Sequence, residues 1–268
     1  MSLKLVTIDV DGTLLNSNLQ ITKAVFDTVQ KAKSQGVKIV LTTGRPILSV
    51  KPVLKELNLD GQSDQYVMTY NGGLIMSTDG TVIDSNPLDM DIVLAIDEFS
   101  HNAGTYTQFE TVAESVTTWH EINEWGSFEN QLIHMPLTIF EDKADFPIDE
   151  YIKGIMTDDK EIIDERSQLI PESWNGKVNV IRSTANNLEF VNPNVSKGNA
   201  LKQLANHLNI DLSDTMAIGD QQNDFSMIEA AGIGVAMGNG IDAVKEIAQF
   251  VTETNDDSGV SIAIEKYL

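Results

Sequence analysis

The 268-residue sequence contains no cysteine and has few basic side chains. Without cysteine the chain cannot form disulfides, thiolate-bound zinc or iron-sulfur sites, or a thiol nucleophile, and we expect a cytoplasmic protein. Eighteen lysines and arginines stand against 40 aspartates and glutamates, a net charge of −22. A surface this negative repels nucleic acids and anionic lipids, so we expect neither as a partner. The first apolar run ends at Asp9, so it predicts neither a signal peptide nor a membrane span.

The first part of the sequence alternates strand-like and helix-like segments. Leu3 to Val10 is a short apolar run that predicts a buried strand, and a helix follows that Thr22 can cap and Gly36 can end. Val37 to Leu41 and Tyr66 to Thr69 are the next predicted strands, with a second helix between them. This series predicts a parallel sheet with ligands at the carboxyl ends of its strands.

The pattern changes after Asn71. Asp79-Gly80 predicts a hairpin turn, and mixed signals then continue until alternation resumes with Leu188 to Val191. We therefore predict an α/β fold whose Rossmann-like core comprises residues 1–83 and 188–268, with a central parallel sheet. Residues 84–187 are predicted to form an inserted α+β cap domain.

Acidic residues follow two of the predicted strands of the core. Asp9 and Asp11 come directly after the first strand, and Asp220 and Asp224 follow the predicted strand Met216 to Ile218. Parallel strands end at one edge of a sheet, so these carboxylates are candidates for a shared site. Polar turns in which one aspartate caps the next segment are the alternative. Asp9, Asp220 and a backbone carbonyl would suit Mg²⁺, which prefers hard oxygen ligands.

Two further segments are suited to binding an anion. Thr43 and Gly44 follow the second strand, where a hydroxyl and free amides could receive an anion, although Thr43 alone is better explained as a helix cap. Lys197 opens a helix, where a cation is unfavourable unless an anion lies nearby, although a solvated surface lysine is the alternative.

These four segments, taken together, resemble motifs I to IV of the haloacid dehalogenase superfamily. The residues that carry the resemblance are Asp-Val-Asp-Gly-Thr from Asp9, Thr-Thr-Gly-Arg-Pro from Thr42, Ser-Lys-Gly from Ser196, and Gly-Asp-Gln-Gln-Asn-Asp from Gly219. The insertion resembles the large cap, of the C2B type, found in the Cof-type subfamily and its sugar phosphatases. The likeness covers essentially the whole chain and is weakest in the cap.

The resemblance implies a role for each motif residue. Asp9 would be the nucleophile that forms an aspartyl-phosphate, and Asp11 the general acid and base. The implied metal residues are Asp9, Asp11, Asp220 and Asp224, with Asp11 contributing its backbone carbonyl. The implied phosphate-binding residues are Val10, Thr43, Gly44, Lys197 and Asn223.

We therefore expect a Mg²⁺-dependent phosphatase of small phosphorylated metabolites, with sugar phosphates first among them. A phosphomutase or phosphotransferase that uses the same Asp9 is one alternative, and a non-catalytic regulator that binds phosphate or Mg²⁺ is another. Arg45 and Asn71 are candidates for contacting the rest of the substrate, and Arg182 is a weaker one. The sequence leaves open whether the protein is a monomer or a homodimer.

Overall fold

The computed structural model describes residues 3–147 and 150–268. The chain divides into two compact units. The first, the core, contains the residues up to Arg45 together with Val50–Ser85 and Ser196–Leu268. The second, the cap, contains Pro46–Ser49 and Asn86–Val195. None of the helices in the described part of the chain combines the length and apolar character that crossing a bilayer requires.

The core is built on an eight-stranded sheet. Its strands, in chain order, are β1 (Leu5–Asp9), β2 (Lys38–Thr42), β3 (Tyr66–Thr69), β4 (Leu74–Ser77), β5 (Val82–Ser85), and, after the cap, β12 (Thr215–Gly219), β13 (Ile233–Ala236) and β14 (Phe250–Val251). Their spatial order is β14-β13-β12-β1-β2-β3-β4-β5. The six strands from β14 to β3 are parallel, and β4 and β5 extend the sheet as antiparallel strands. The predicted parallel sheet is confirmed.

Helices accompany the sheet of the core. They are α1 (Lys23–Ser34), α2 (Ile47–Glu56), α6 (Lys197–His207), α7 (Phe225–Ala230), α8 (Asp242–Ile247) and α9 (Gly259–Glu265). Of these, α1, α2, α7 and α8 connect successive parallel strands, α6 leads from the cap into β12, and α9 follows β14. Thr22 caps α1 as predicted, because its hydroxyl accepts a hydrogen bond from the amide of Val25 at 3.3 Å. The apolar faces of α6 and α7 pack against the sheet through Leu201, Leu204 and Met227. These fully buried side chains supply much of the hydrophobic stabilisation of this layer.

The cap contains a second, six-stranded sheet. Its strands are β6 (Thr107–Glu110), β7 (Ser115–Thr117), β8 (Leu137–Ile139), β9 (Lys153–Thr157), β10 (Asn179–Arg182) and β11 (Asn187–Val191). Their spatial order is β10-β11-β9-β6-β7-β8, and the pairs are antiparallel except for β7 with β8. The cap helices are α3 (Met90–Ala103), α4 (Glu124–Ile133) and α5 (Lys160–Gln168). The mixed architecture predicted for the cap matches this arrangement.

One face of the cap sheet is apolar. Phe109, Met156 and Phe190 lie on this face and pack in one cluster with Ile96 of α3 and Ile163 of α5. The opposite face carries charged and amide side chains, because side chains alternate between faces along each strand. The cap therefore has one packed face and one polar face.

The predicted boundary between cap and core is wrong at its C-terminal end. Leu188 to Val191 was expected to begin the returning core, but this segment is β11, which pairs with β9 and β10 of the cap sheet. The division falls at Ser196, and on the other side at Asn86 rather than residue 84. A short apolar run has the same pattern in a buried parallel strand and in a central antiparallel strand, so its sequence does not reveal which sheet it joins.

Candidate active site

The candidate site lies at the carboxyl edge of the core sheet. Asp9 is the last residue of β1, and Asp220 directly follows β12. The register aligns Ile8 with Ile218 in one neighbour and Asp9 with Thr42 in the other. The loops after three adjacent strands therefore start at the same level, which brings the predicted motifs together.

Three carboxylates converge at this edge. Asp9, Asp220 and Asp224 each offer an oxygen, and these oxygens lie within 4.8 Å of one another. All three side chains are buried. Buried like charges repel strongly unless a cation or proton compensates them. A hard, oxygen-only donor set is what Mg²⁺ prefers, so these residues fit the metal that the motifs imply.

Lys197 supplies one positive charge to the cluster. It is the first residue of α6 and is fully buried, and its Nζ lies 2.5 Å from Oδ1 of Asp9 and 2.6 Å from Oδ1 of Asp224. Ser196 caps the helix by accepting from the amide of Asn199 at 3.1 Å. The two carboxylates offset the unfavourable position of a cation at a helix N-terminus. The alternative of a solvated surface lysine is excluded.

Burial and charge set the protonation behaviour of this cluster. Burial raises the pKa of Asp9 above its ordinary value, Asp224 and Asp220 add to the rise, and Lys197 opposes it. Burial by itself lowers the pKa of Lys197, but the charges of Asp9 and Asp224 outweigh that effect and the net shift is upward. The pKa of Asp220 is raised, also chiefly by burial. A divalent cation bound here would favour the ionised carboxylates.

The hydrogen bonds of Asp224 distinguish it from the other two acids. Its Oδ2 accepts from the amides of Asp220 and Gln221 at 2.8 and 2.9 Å, and its Oδ1 accepts from Lys197. Gly219 is needed beside it, because a Cβ there would lie 2.4 Å from the carboxylate carbon of Asp224. Asp224 thus fixes the conformation of the loop that contains Asp220, and it also forms an ion pair with Lys197.

Two neighbours orient the carboxylate of Asp220. Thr13 donates its hydroxyl to Oδ1 at 2.9 Å, and the side-chain amide of Gln221 donates to Oδ2 at 3.2 Å. Gly12 has a φ of +78°, and a Cβ on it would lie 2.6 Å from Oδ2 of Asp220. Only glycine therefore allows the loop after β1 to approach Asp220 this closely.

Asp11 lies outside the carboxylate cluster. Its side chain is exposed and forms an ion pair with Arg45, whose Nε donates to Oδ2 at 2.9 Å and whose Nη2 donates to Oδ1. Arg45, which the sequence predicts to contact the substrate, thus binds Asp11, the predicted general acid. Arg182, the weaker candidate, lies in β10 of the cap with its Nη2 2.9 Å from Oδ1 of Asp164.

The remaining predicted residues lie in the loops after β1, β2 and β3 and beside Asp220. The hydroxyl of Thr43 accepts from the amide of Arg45 at 3.1 Å, which is a local turn contact. Asn223 donates its side-chain amide to Oδ1 of Asn71 at 3.0 Å, and Asn71 has a φ of +56°. The side chain of Val10 is buried, and Gly44 is partly buried.

Sequence reasoning missed three side chains that shape the site. Thr13 and Gln221 lie inside recognised motifs, so their position was a usable signal for their contacts with Asp220. Asn239 donates to the carbonyl of Gly12 at 2.8 Å from the loop after β13. Asn239 follows a strand that ends at the same edge of the sheet, and this position in the sequence was the available signal.

Comparison with known proteins agrees with this geometry. The family model of haloacid dehalogenase-like hydrolases matches residues 6–264. YxeH of Bacillus subtilis, named as a candidate phosphatase, is 39% identical over 98% of this chain and 97% of its own length. The 5-amino-6-(5-phospho-D-ribitylamino)uracil phosphatase YcsE of the same organism is 28% identical over 100% and 97%. The crystal structure of a haloacid dehalogenase-like hydrolase from Bacteroides thetaiotaomicron covers all of both chains, with 30% identity and a TM-score of 0.89.

The chain belongs to the haloacid dehalogenase-like hydrolase family. Within that family it is a phosphatase of the Cof-type group, acting on small phosphorylated metabolites. The resemblance carried by the four motifs is confirmed at this level.

Proposed function

We propose that the protein is a Mg²⁺-dependent phosphatase that hydrolyses sugar phosphates and related polyol phosphates through an aspartyl-phosphate on Asp9. The observation that carries the proposal is the buried group of Asp9, Asp220, Asp224 and Lys197 at one sheet edge. The group combines a nucleophilic carboxylate, a metal-binding donor set and a fixed cation. Phosphoryl transfer through an aspartyl-phosphate uses each of these features.

The first step is nucleophilic attack on phosphorus. An oxygen of Asp9 forms the new bond while the bond to the ester oxygen breaks, which leaves the phosphoryl group on Asp9. Lys197 neutralises charge on the phosphoryl oxygens, and the amides near Val10 and Gly44 donate to them. Thr43 and Asn223 hold the same group in place. Mg²⁺, when bound by Asp9, Asp220 and the carbonyl of Asp11, supplies charge neutralisation and orientation.

Asp11 acts first as the general acid and then as the general base. It gives a proton to the departing alcohol oxygen in the first step. Its carboxylate then takes a proton from the water that attacks the phosphorus, which releases phosphate and restores both aspartates. The contact with Arg45 orients the ionised carboxylate of Asp11, which must take up a proton before it acts as the acid. Asp224 positions Asp220 and Lys197 through its hydrogen bonds, and its carboxylate belongs to the group of acids that would hold the metal.

The choice of sugar and polyol phosphates has two supports. The motifs of the core resemble those of Cof-type sugar phosphatases. The relative YcsE is named for a substrate that carries a phosphorylated ribityl chain. The catalytic residues of the four motifs lie in the core, and we propose that the cap sets selectivity.

The decisive experiment measures phosphate release from glucose 6-phosphate and p-nitrophenyl phosphate, with Mg²⁺ and with a chelator. We expect turnover only with the metal and without any added acceptor. Asp9→Asn should keep the fold and lose activity by several powers of ten, as when a covalent nucleophile is removed. Asp27→Asn, at an exposed carboxylate of α1, is the matched control. Release that requires a second sugar would support the phosphotransferase alternative, and no release would support the regulator.

A further inference from the structure

The loop that follows β13 lies outside the four motifs and contacts two loops of the candidate site. The amide of Ile241 in this loop donates to the carbonyl of Asp220 at 3.0 Å. The side-chain amide of Asn239 donates to the carbonyl of Gly12 at 2.8 Å, and Gly12 directly follows Asp11. The loop after β13 therefore links the loop after β12 to the loop after β1.

A second asparagine extends this connection. The backbone amide of Asn255, in the loop after β14, donates to Oδ1 of Asn239 at 3.0 Å, and its side-chain amide donates to the carbonyl of Leu15 at 2.9 Å. The amide of Leu15 in turn donates to the carbonyl of Val10 at 3.0 Å. The backbone from Gly12 to Leu15 and the two asparagines thus form a closed ring joined by three hydrogen bonds.

The ring requires a side chain at position 239 that both donates and accepts. A backbone carbonyl can only accept a hydrogen bond, and a backbone amide can only donate one. Asn239 contacts one of each, and its short side chain supplies both the donor and the acceptor. The side chain of Asn239 is exposed, whereas that of Asn255 is buried. The contribution of Asn239 therefore comes from these two hydrogen bonds rather than from packing.

The conformation of the loop after β1 decides where the oxygens of the site lie. A Cβ on Gly12 would lie 2.6 Å from Oδ2 of Asp220, and Thr13 donates to the same carboxylate. Gly12 has a φ of +78° and no side chain, so its own backbone imposes few restraints. The carbonyl of Asp11 belongs to the peptide group that precedes Gly12. Holding the carbonyl of Gly12 therefore limits the rotation of the peptide group that carries the carbonyl of Asp11.

We infer that Asn239 and Asn255 are positioning residues for the proposed metal site. They hold the loop after β1 in the conformation in which the carbonyl of Asp11 can bind Mg²⁺ together with the carboxylates of Asp9 and Asp220. The ring is built from the protein's own atoms, so it orders the loop before a cation binds and reduces the conformational freedom lost on binding. This inference rests on the proposed function, which assigns the metal to these acids.

The test measures Mg²⁺ binding to the whole protein by calorimetry. We expect Asn239→Ala to weaken binding about ten-fold, as substitutions of residues that orient metal ligands typically do. Asn239→Asp keeps the acceptor for the amide of Asn255 but loses the donor to Gly12, and it should also bind more weakly. Its added negative charge would by itself strengthen cation binding, so weaker binding assigns the effect to the lost hydrogen bond. Asn206→Ala, at an exposed asparagine of α6, is the matched control and should bind Mg²⁺ like the wild type.

Hydrogen exchange in the presence of a chelator gives a readout that needs neither metal nor turnover. We expect the amides of residues 10–17 to exchange about five-fold faster in Asn239→Ala and Asn255→Ala than in the wild type, because the loop opens more often once a hydrogen bond is lost. Asn206→Ala should leave this exchange unchanged. Thermal unfolding checks that each variant is folded, and the exposed Asn239 remains testable if Asn255→Ala does not fold.

Activity separates positioning from general damage to the site. Raising the Mg²⁺ concentration should return kcat of Asn239→Ala for p-nitrophenyl phosphate to within about two-fold of the wild type, because weaker metal binding is overcome by mass action. A loss of kcat that no Mg²⁺ concentration restores would overturn the inference. Unchanged or tighter Mg²⁺ binding in either variant of Asn239, or unchanged hydrogen exchange, would do the same. The proposed function fails in a different way, because the wild type would then release no phosphate from p-nitrophenyl phosphate with Mg²⁺.

Discussion

Arg45 donates hydrogen bonds from two nitrogens of its guanidinium group to the two carboxylate oxygens of Asp11. The sequence suggested that Arg45 contacts substrate, whereas the structure shows it holding the proposed general acid. The two residues follow different strands, β1 and β2, so their contact depends on the register of the sheet. A planar, two-point contact fixes the direction in which the carboxylate points.

Arg45→Lys tests this relationship, because lysine keeps the charge but cannot make the two-point contact. We expect kcat for sugar phosphates to fall about ten-fold and kcat for p-nitrophenyl phosphate to fall much less, since an aryl leaving group needs little protonation. Steady-state kinetics on both substrates measure the difference. A rise in KM on every substrate with unchanged kcat would instead assign Arg45 to substrate binding.

Asp11→Asn removes the proposed acid while preserving the shape of the side chain and the backbone carbonyl. We expect a loss on sugar phosphates that exceeds the loss on p-nitrophenyl phosphate by roughly ten-fold or more. Hydrolysis of the intermediate should also slow, so the comparison must use single-turnover phosphorylation of Asp9. Identical losses for both leaving groups in that step would leave Asp11 as a metal-site residue only.

Much of the core could be predicted from its sequence, because strand runs and helix caps there agree with one another. The cap of α1 by Thr22 and the parallel strands are confirmed. Asp9, Asp220 and Lys197 lie together at the edge of the sheet where the predicted strands end. The hydrogen bond between Asn71 and Asn223 could not be predicted, because it joins side chains 152 positions apart. Such contacts depend on the packing of loops, for which a single sequence has no periodic signal.

The cap was harder to predict for a physical reason. Its strands mix apolar and charged residues, and β11 has the same pattern as a core strand. Lys153 and Glu110 gave no signal, since each is an ordinary charged residue until β6 and β9 pair and place them opposite one another. The two-residue strand β14 is also too short to be distinguished from a loop by its sequence.

Lys197→Met should both inactivate and destabilise the protein. The substitution leaves Asp9 and Asp224 buried without their common cation, and breaking a buried ion pair on one side typically costs about 3–5 kcal/mol. We expect that loss in the free energy of unfolding measured with urea, and partial recovery when Mg²⁺ is added. Lys202→Met, at an exposed position of the same helix, is the control and should change stability by less than about 0.5 kcal/mol. Equal stability of the two variants would contradict the compensating role of Lys197.

Glu110 of β6 and Lys153 of β9 form a buried ion pair in the cap, with 3.2 Å between Oε1 and Nζ, and this pair should make stability depend on pH in a defined direction. Burial raises the pKa of Glu110 from its ordinary 4.5 to about 7, while Lys153 opposes the shift. Between these two values the unfolded chain has released the proton and the folded protein retains it. The free energy of unfolding therefore falls as the pH rises from about 4.5 to about 7. Lys153 stays charged throughout this window, because its pKa is also raised and its contribution is lost only above 10.5.

Glu110→Gln should remove this part of the pH dependence. We expect the wild type to lose about 1–3 kcal/mol more stability than the variant between pH 5 and pH 8, since one pKa unit corresponds to about 1.4 kcal/mol. Urea unfolding of the whole protein at several pH values measures both curves. Acids of the core contribute equally to the two proteins, so the difference between the curves isolates Glu110. Glu172→Gln, at an exposed glutamate of the cap, is the control and should follow the wild type. Parallel curves for wild type and Glu110→Gln would show that Glu110 is ionised at neutral pH.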